Sequence, residues 1–408
     1  MPIPQNYYQS YSEKLQEILS HLFSTPFYQQ KLSEVNIHAR QITDLSAIKS
    51  LPFTFKEDLR NTTPYERSPF GIESLEFIFS SSGTSGQPTL YYWTTNDTEV
   101  LREAGKKAMN RVGIHPQDVA LLLAPMGMPI MWYCMFQQFN VMQAGIIPVG
   151  VRPPVELLSY LKDHPVSVIV GLPILATRLF EFAQLQGIEL PLSDMPLRQF
   201  QFGGEFLSNS RRKRVEEMWQ VEAFNFYGIS EIFGPIAGEC KVKQGLHLLD
   251  EYVYMEVLDP ETKEPVEDGT PGVAVFTTLW KKGAPLLRYW SDDFVSYHPE
   301  PCPCGEHSPR IRYLGRPIDM WSNNGHKVFA SELEDVLLSF PVGNEYQLII
   351  HEQSAELLVE EIPDLPDLPV RLIEEQVGSL LHYHVKLKRL SPGSLPRDQV
   401  KPKRILID

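Results

Sequence analysis

Basic residues are scarce in this chain relative to acidic ones, because 37 lysines and arginines stand against 51 aspartates and glutamates, a formal net charge of −14. Nucleic-acid backbones and anionic membranes are therefore not expected to be the main partners. Small anions can still bind where a few basic side chains converge, because the local field matters more than the net charge. The charge balance favours small-molecule chemistry.

Cysteine is also rare, since the whole chain has 4 cysteines, too few for a disulfide framework at this length. A basic segment followed by an apolar leader is missing at the amino terminus, so secretion is not expected. Residues 119–151 carry no charge, but Pro125, Gly127 and Pro129 interrupt the run and several amide side chains follow, which argues against a membrane span. We therefore expect a cytoplasmic protein.

Repeats and low-complexity segments are absent from the sequence, whereas apolar residues make up 43% of it. That composition is typical of a well-packed globular protein, and 408 residues exceed what one core usually supports. From residue 119 onward, short apolar runs alternate with helical segments, which favours an α/β layer with a largely parallel sheet. Strands are predicted at 119–124, 145–149, 166–170 and 198–202, and helices at 95–112 (capped by Thr95 or Asn96), 131–144, 154–163, 174–187 and 208–219.

Ligands of such sheets bind in loops beyond the carboxyl ends of the strands, and residues 201–205 and 224–231 are predicted to be two of these loops. Near residue 240 the pattern changes to strands and turns. A smaller α+β piece is predicted after Arg316. The expected fold is α/β, with a large N-terminal domain of mixed sheets at 1–315 and a small, mobile α+β C-terminal domain at 316–408.

An uncharged stretch at residues 80–89, Ser-Ser-Ser-Gly-Thr-Ser-Gly-Gln-Pro-Thr, is rich in hydroxyl groups and glycine. Glycine lets backbone amides turn toward an anion and hydroxyls add donors, so the stretch is suited to bind phosphate oxygens. It lacks the Gly-Lys-Ser/Thr of the nucleoside-triphosphatase P-loop, and Gln87-Pro88 leads into another strand instead of a helix. A plain hairpin loop is the alternative interpretation.

Further motifs follow this loop in a fixed order. They are Gly-Gly-Glu at 203–205, Tyr-Gly-Ile-Ser-Glu at 227–231, Leu-Leu-Arg-Tyr-Trp-Ser-Asp-Asp at 286–293, Tyr-Leu-Gly-Arg-Pro-Ile-Asp-Met at 313–320 and Gly-Ser-Leu-Pro-Arg…Lys at 393–401. With Leu-Pro-Phe-Thr-Phe-Lys-Glu-Asp-Leu-Arg at 51–60, they resemble the adenylate-forming enzymes, most closely the phenylacetate–coenzyme A ligase branch. The resemblance covers nearly the whole chain, and the ordered set is more specific than any single motif.

The resemblance implies a two-step reaction catalysed by an AMP-forming acid–thiol ligase. An acid attacks the α-phosphate of ATP to give acyl-AMP and pyrophosphate, and a thiol, usually that of coenzyme A, then displaces AMP. Departure of pyrophosphate spreads negative charge that hydrogen-bond donors, a cation and Mg²⁺ must stabilise. The implied cofactors are ATP, Mg²⁺ and coenzyme A, and the implied substrate is a phenylacetate- or benzoate-like aromatic acid.

The resemblance also assigns the nucleotide site. It implies that Glu231 coordinates magnesium through a hard oxygen, that Tyr227 stacks near adenine, and that Asp293 accepts hydrogen bonds from the ribose, with Asp292 as the competing candidate. Gln87 stands where relatives often carry lysine, so one positive charge is missing. The other nucleotide-binding residues implied are Ser81, Ser82, Gly83, Thr84 (also catalytic), Ser85, Gly86, Gly204, Glu205, Gly228 and Arg316.

A lysine near the carboxyl terminus is implied to bridge the acid and the α-phosphate. The offset from Pro396-Arg397 favours Lys401 over Lys403, and a plain basic tail is the alternative. The segment ending at Asp319 matches the family hinge, about which the small domain rotates between the two half-reactions. The loop at 323–330 is implied to enter the thiol tunnel, although it departs from the pattern of relatives.

The acid pocket is expected among residues 126–143 and in the segments before Gly203 and Tyr227, and the large apolar side chains of 126–143 suit an aromatic acid. Methionine and aromatic residues at these spacings are more often simple core, so the aromatic acid is offered mainly on the resemblance. The residues implied to line the pocket are Met131, Tyr133, Phe136 and Gly203.

Three cysteines and one histidine supply a second candidate site. Cys240, His247, Cys302 and Cys304 satisfy tetrahedral Zn²⁺, and a closed four-ligand set is structural. Their spacing is not that of a zinc finger, so reduced thiols are an equal alternative from the residues alone. The resemblance favours zinc, because some relatives carry a zinc site at these positions. His298 and His307 are rival ligands.

Other functions stay open beside the ligase. The unusual loop at 323–330 motivates an enzyme that passes the acyl group to a carrier-protein thiol or an amine instead of coenzyme A. A nucleotidyltransferase that leaves AMP on a hydroxylated cofactor, and a non-catalytic nucleotide-binding protein, are the remaining alternatives.

Overall fold

The computed structural model describes residues 5–37, 45–80, 88–125, 127–191, 195–323, 325–362, 368–397 and 401–408. Its helices are α1 (Gln5–Ser24), α2 (Pro26–Glu34), α3 (Leu45–Ile48), α4 (Lys56–Arg60), α5 (Pro64–Arg67), α6 (Thr95–Arg111), α7 (Pro129–Val141), α8 (Pro154–Asp163), α9 (Pro173–Leu185), α10 (Asn209–Trp219), α11 (Ala330–Leu337) and α12 (Val370–Leu381). None of the helices within these residues combines the length and the apolar character needed to cross a bilayer.

The strands complete the inventory of elements. They are β1 (Phe77–Ser80), β2 (Leu90–Trp93), β3 (Val119–Leu122), β4 (Gly145–Pro148), β5 (Val168–Gly171), β6 (Gln199–Gly203), β7 (Glu222–Ile229), β8 (Phe233–Gly238), β9 (Leu246–Leu248), β10 (Val253–Leu258), β11 (Gly272–Thr278), β12 (Tyr289–His298), β13 (Arg310–Gly315), β14 (Met320–Asn323), β15 (His326–Phe329), β16 (Tyr346–Ile350), β17 (Ala355–Glu360), β18 (Val385–Leu390) and β19 (Ile405–Ile407).

The chain forms two compact units. The first comprises residues 1–117, 126–145 and 226–312, and the second comprises residues 118–125, 146–225 and 313–408. The predicted first domain, 1–315, thus contributes to both units, and the predicted division at 315/316 stays a prediction. The mixed α/β fold class is confirmed.

Antiparallel strands dominate the first unit. Their order is β10-β11-β12-β13-β9-β8-β7, and β1 pairs with β2 in a separate hairpin. The α1–α2 pair packs its buried leucines and aromatics against Leu279 and Leu287. The α6 helix begins at Thr94, whose hydroxyl accepts from the Asp97 N–H while the Asp97 carboxylate accepts from the Thr94 N–H, so the capping residue is neither Thr95 nor Asn96.

Parallel strands form the central layer of the second unit, where β3 pairs with β5 and β5 pairs with β6. Helices α8 to α10 cover this layer through a core around Phe200, Phe202 and Trp219. Two of these helices begin at prolines, Pro154 and Pro173, which suits a first-turn position whose N–H has no intrahelical partner. The unit also holds the hairpin β14–β15 and the four-stranded sheet β18-β17-β16-β19.

Two predicted loops are strands instead. Residues 224–229 belong to β7, because Phe224, Phe226 and Tyr227 are all buried within a sheet that favours aromatic side chains. Residues 326–329 form β15, which pairs with β14 around the turn at Gly325. Both predictions were wrong: the first placed 224–231 beyond the end of a strand and the second took the loop at 323–330 from the family resemblance, and neither weighed the strand-forming residues in these segments.

Candidate functional site

Residues 81–87 lie outside the described residues, so Ser81, Ser82, Gly83, Thr84, Ser85, Gly86 and Gln87 receive no structural account. The strands on either side of them are paired. β1 and β2 run antiparallel, with Ser80 opposite Leu90. The Ser/Gly-rich segment therefore connects the two strands of one hairpin.

Tyr227 and Asp293 meet across the sheet of the first unit. The Tyr227 hydroxyl donates a hydrogen bond of 2.6 Å to Oδ2 of Asp293, and both residues are buried, on β7 and β12. Asp292 is exposed, takes a left-handed φ of 61° and accepts from Trp290 Nε1 at 2.9 Å. Of the two aspartates left open by the sequence, Asp293 is the one that the fold brings to Tyr227.

Gly228 lies where two strands approach closely. A Cβ at this position would come within 2.6 Å of Gly234 Cα and 2.9 Å of Phe233 O. No side chain fits there without moving backbone. The structure therefore requires glycine at 228 for the β7–β8 contact, whatever else the residue does.

Glu231 is a buried carboxylate surrounded by donors of the first unit. Tyr91 donates to Oε1 at 3.2 Å, and the Lys56 ammonium lies 3.4 Å from the same oxygen. The Tyr289 hydroxyl also donates to Glu231. Burial first, and then the carboxylates of Glu231 and Asp293, hold the pKa of Tyr289 well above its usual range. Glu231 lies in the turn after β7 and Asp293 lies on β12. Both carboxylates nevertheless raise the pKa of Tyr289.

Sequence reasoning missed the two lysines at Glu231. Lys281 is 1% exposed and donates to the Glu231 carbonyl oxygen at 2.8 Å, and burial lowers its pKa to about 8. Lys56 lies at the start of α4, inside the 51–60 motif. That motif was the available signal for Lys56, whereas nothing in the sequence separates Lys281 from a surface lysine.

None of the predicted pocket residues of α7 is fully buried. Phe136 is 38% exposed and Met131 and Tyr133 are partly exposed, whereas Ile130 and Phe139 are buried. The Tyr133 ring contacts other aromatic rings of the first unit. These are Phe77 at 4.5 Å, Phe79 at 5.2 Å and Trp93 at 5.9 Å between centroids. Met131, Tyr133 and Phe136 thus keep part of their apolar surface accessible.

The predicted metal ligands converge in the first unit. One ligand atom from each of Cys240, His247, Cys302 and Cys304 lies within 4.8 Å of every other. The Cys240 and Cys302 sulfurs are 3.8 Å apart, and Cys304 Sγ is 3.4 Å from His247 Nε2. Zn–S bonds of about 2.3 Å at tetrahedral angles place two sulfurs about 3.8 Å apart, so the donor set fits zinc.

A second layer of contacts orients the imidazole. His247 Nδ1 lies 3.1 Å from Ser308 Oγ and 3.3 Å from Ser308 O. Such contacts fix the tautomer that leaves the other nitrogen for a metal. Arg111 donates to Glu306 and, at 3.1 Å, to the His247 carbonyl oxygen. The rival ligand His298 contacts Ser296 instead, and the cluster does not include His307.

Lys401 reaches the Gly-Gly-Glu turn within the second unit. Its ammonium donates to the Gly204 carbonyl oxygen at 2.6 Å. Gly204 has a φ of 86°, a left-handed conformation that glycine adopts without strain. Lys403 is exposed, and its carbonyl oxygen accepts from Gln347. Of the two lysines weighed in the sequence, Lys401 is the one at the predicted site.

The charge of Lys401 also affects the pKa of Glu205. Burial raises the pKa of the Glu205 carboxyl to about 7, against the opposing effects of Lys401 and Arg404. Glu205 follows Gly204 in the turn after β6, and part of the residue reaches the surface although its carboxyl group is buried. A carboxyl group and an ammonium group therefore interact electrostatically at the carboxyl end of a parallel strand.

The predicted hinge forms a short turn. Pro317–Asp319 is a 3-10 helix, and the Arg316 N–H donates to the Asp319 carboxylate at 3.4 Å. The preceding Gly315 has a φ of 135°. Arg316 is exposed. A helical turn of this length, closed by its own aspartate, separates β13 from β14.

The sequence is similar to AMP-binding enzymes and to phenylacetate-coenzyme A ligases. The sequence profile of the family described as "AMP-binding enzyme" matches residues 19–279, more than half of the chain. The phenylacetate-coenzyme A ligase of Thermus thermophilus is 29% identical over 428 residues, covering 97% of this chain and 95% of the relative. That of Escherichia coli is 26% identical over 409 residues, covering 97% and 93%.

A solved structure shares the fold. The crystal structure of 2-hydroxyisobutyryl-CoA ligase in the postadenylation state, in complex with R3-HIB-AMP, matches with a TM-score of 0.89 at 20% identity. The match covers 100% of this chain and 90% of that one. At this identity the likeness establishes the fold.

Proposed function

Because this chain belongs to the AMP-binding enzyme family, we propose that it activates an aromatic carboxylic acid as acyl-AMP and transfers the acyl group to coenzyme A. Phenylacetate-coenzyme A ligases match it over nearly their full length, which confirms the resemblance drawn from the motifs. The observation that carries the proposal is the 2.6 Å contact between the Lys401 ammonium and the Gly204 carbonyl oxygen. A basic tail that only extends into solvent would not make this contact.

In the first half-reaction, a carboxylate oxygen of the acid forms a bond to the α-phosphorus of ATP, and the bond from that phosphorus to the leaving pyrophosphate breaks. Both reactants are anions, so a cation that contacts each of them lowers the barrier. We assign this role to Lys401. Its stem is long enough to place a point charge at the Gly204 carbonyl oxygen of the Gly-Gly-Glu turn, where it also lowers the pKa of Glu205 against the effect of burial.

The first unit supplies the nucleotide contacts of the proposal. Asp293 accepts hydrogen bonds from the ribose, and Tyr227 both orients that carboxylate and offers a ring face to adenine. Glu231 is the magnesium ligand, which fits an ion that prefers carboxylate oxygen and keeps phosphates and waters as its other ligands. Bound magnesium would neutralise charge on the phosphates. Lys56 supplies, beside Glu231, the positive charge that Gln87 does not.

The acid is proposed to be aromatic. Met131, Tyr133 and Phe136 of α7 are large and not fully buried, and the helix itself contains no basic residue. Gly203, which ends β6 before the Gly-Gly-Glu turn, is the remaining residue that the resemblance assigns to the acid. Polarisable and aromatic side chains suit a flat ring.

In the second half-reaction, the thiol sulfur bonds to the acyl carbon and the bond to AMP breaks. We assign the hinge to Asp319 and thiol access to the β14–β15 hairpin, which carries His326 and Lys327. The four-ligand cluster is proposed as a structural zinc site, since all four positions are filled by protein atoms and none is left for substrate. The cytoplasmic location expected from the sequence stays a prediction.

An acid-panel assay tests the proposed function. Pyrophosphate release is measured with ATP and Mg²⁺ for phenylacetate, benzoate and aliphatic acids, with and without coenzyme A. We expect release with an aromatic acid and an acyl-CoA product by mass when coenzyme A is present. If hydroxylamine traps a hydroxamate but no acyl-CoA forms, the acyl acceptor is a carrier-protein thiol or an amine instead of coenzyme A. AMP that stays on the product in the presence of coenzyme A and of hydroxylamine would instead identify a nucleotidyltransferase.

A further inference from the structure

Two ion pairs hold the chain on either side of Lys401. Before it, the Arg397 guanidinium donates two hydrogen bonds to the Glu360 carboxylate, at 2.9 and 2.6 Å. After it, Arg404 donates to Glu345 at 3.0 Å and stacks over a tyrosine ring. The Lys401 side chain is itself exposed. Its position therefore depends on where these two anchors lie.

The first anchor is strongly determined. Besides Arg397, the backbone N–H groups of Gly393 and Leu395 donate to Glu360, at 3.0 and 2.7 Å. These donors hold the pKa of the Glu360 carboxyl below its usual range, against the effect of burial. A carboxylate that accepts this many hydrogen bonds has one orientation. The backbone from 393 to 397 is thereby fixed on the end of β17.

One side chain from outside this region touches both anchors. Arg178, on α9, donates from Nε to Glu345 at 2.6 Å and from Nη1 to the Arg397 carbonyl oxygen at 3.2 Å. The Glu345 carboxylate, 1% exposed, thus accepts from Arg178 on one oxygen and from Arg404 on the other. Arg178 ties the helix beside β6 to the chain on both sides of Lys401.

The chemistry of the arginine matters for this link. A guanidinium is a planar fork with several donors in fixed directions, so it serves two acceptors at once, whereas a lysine ammonium is a single point charge. Glu345 needs a cation because it is buried. Arg178 therefore does two separable things: it neutralises Glu345, and it holds the Arg397 carbonyl.

We propose that Arg178 and Glu345 are positioning residues that place the Lys401 ammonium at Gly204, and that they act on acid activation alone. This inference rests on the proposed function, because it requires Lys401 to be catalytic in that step. Neither residue is assigned a contact with the reacting atoms. They affect the reaction indirectly, by fixing Arg397 and Arg404 on either side of Lys401.

A different contact of the same kind provides the control. Arg214, on α10, donates to the carbonyl oxygens of Leu338 and Val342, at 3.0 and 2.7 Å, to that of Phe340, and to Asn344 Oδ1 at 3.3 Å. Like Arg178, it links a helix of residues 146–225 to the C-terminal part of the second unit, but it donates to neither Arg397 nor Glu345. Loss of Arg214 removes the same charge and its own hydrogen bonds, without releasing the chain beside Lys401.

The test compares Arg178→Met with Arg214→Met in both half-reactions. For Arg178→Met we expect kcat of acid-dependent pyrophosphate exchange to fall about 10- to 100-fold, the cost of misplacing a reacting group by about 1 Å. KM for ATP and thioester formation from preformed acyl-AMP and coenzyme A should be unchanged. Arg214→Met should leave the ratio of the two half-reactions as in the wild type. Equal losses in both half-reactions, or an equal shift in both variants, would overturn the inference.

Two further variants keep the test decisive. Arg178→Lys retains the charge beside Glu345 and is expected to fold even where the methionine variant does not. It should show a smaller loss, confined to adenylation, since the second donor is gone; wild-type adenylation in Arg178→Lys would contradict the proposal. The double variant Arg178→Met/Lys401→Ala should be no slower than Lys401→Ala alone.

The outcome also separates this inference from the proposed function. If Lys401→Ala leaves adenylation intact, the assignment of Lys401 fails, and this inference fails with it. If Lys401→Ala abolishes adenylation while both Arg178 variants match the wild type, only the positioning role is overturned. Thermal unfolding of every variant identifies those that are misfolded.

Discussion

The Tyr227 hydroxyl donates to the Asp293 carboxylate at 2.6 Å, inside the sheet of the first unit. A short hydrogen bond to a charged group is worth about 1.5–3 kcal/mol, and here it fixes the direction of the carboxylate. Asp292, one residue earlier, points to Trp290 instead. The pair explains why only one of two neighbouring aspartates is placed for a shared site with Tyr227.

We expect Asp293→Asn to raise KM for ATP roughly tenfold or more, because the ribose hydroxyls lose a charged acceptor. Tyr227→Phe should raise it by a smaller factor, since the carboxylate remains but loses its orientation. Steady-state pyrophosphate release at varied ATP concentrations measures both. Asp292→Asn is the matched control, and an effect of that variant as large as that of Asp293→Asn would reverse the assignment.

The contact of Lys401 with Gly204 leads to a second prediction. Lys401→Ala should slow acyl-AMP formation about 100-fold or more, because a preorganised charge at the α-phosphate is lost, and it should lose far more than Gln87→Ala. Pyrophosphate exchange is the measurement. Lys403→Ala removes an equivalent charge two residues away and should stay close to the wild type. Comparable losses in Lys401→Ala and Gln87→Ala would contradict this division of labour.

The Cys/His cluster predicts a metal-dependent stability. Metal analysis of the purified protein should find about one zinc per chain, and Cys302→Ser should lower Tm by about 5 °C or more, because metal binding adds to folding free energy. Activity per folded molecule should change little, since the closed ligand set leaves no position for substrate. Cys134→Ser, at a buried thiol of α7 outside the cluster, should retain zinc. A metal-free protein with wild-type Tm would refute the site.

Glu205 predicts a pH dependence of stability. Its pKa is about 7 in the folded chain, above the usual value near 4.3 of an unfolded chain, so between these values the folded state binds more protons than the unfolded state. Stability from this group is fully present below the lower value and falls as pH rises through about 7. Thermal unfolding from pH 5 to 8 should therefore show a steeper decline in the wild type than in Glu205→Gln. Parallel curves would show that Glu205 titrates normally.

Much of the fold was predictable because local patterns specify it. The alternation of apolar runs with helical segments predicted α8 at 154–163 with its observed bounds. It also placed α6 and α10 to within a residue. β7 and β15 were mistaken for loops, because the ligand-site rule and the family resemblance placed these motifs in loops. In the structure, Gly228 sits inside a strand for the close approach of its neighbour Gly234.

The sequence by itself determined the chemistry that is available: the ordered motifs, the family they resemble and four candidate metal ligands, whose convergence the fold then showed. Only the tertiary structure decided between neighbours, because Asp292 and Asp293, or Lys401 and Lys403, differ little in sequence and much in what surrounds them. It also revealed Lys56 and Lys281 at Glu231, and Arg178 beside the anchors of Lys401. These partners lie far apart along the chain, and no local pattern records a contact that only folding creates.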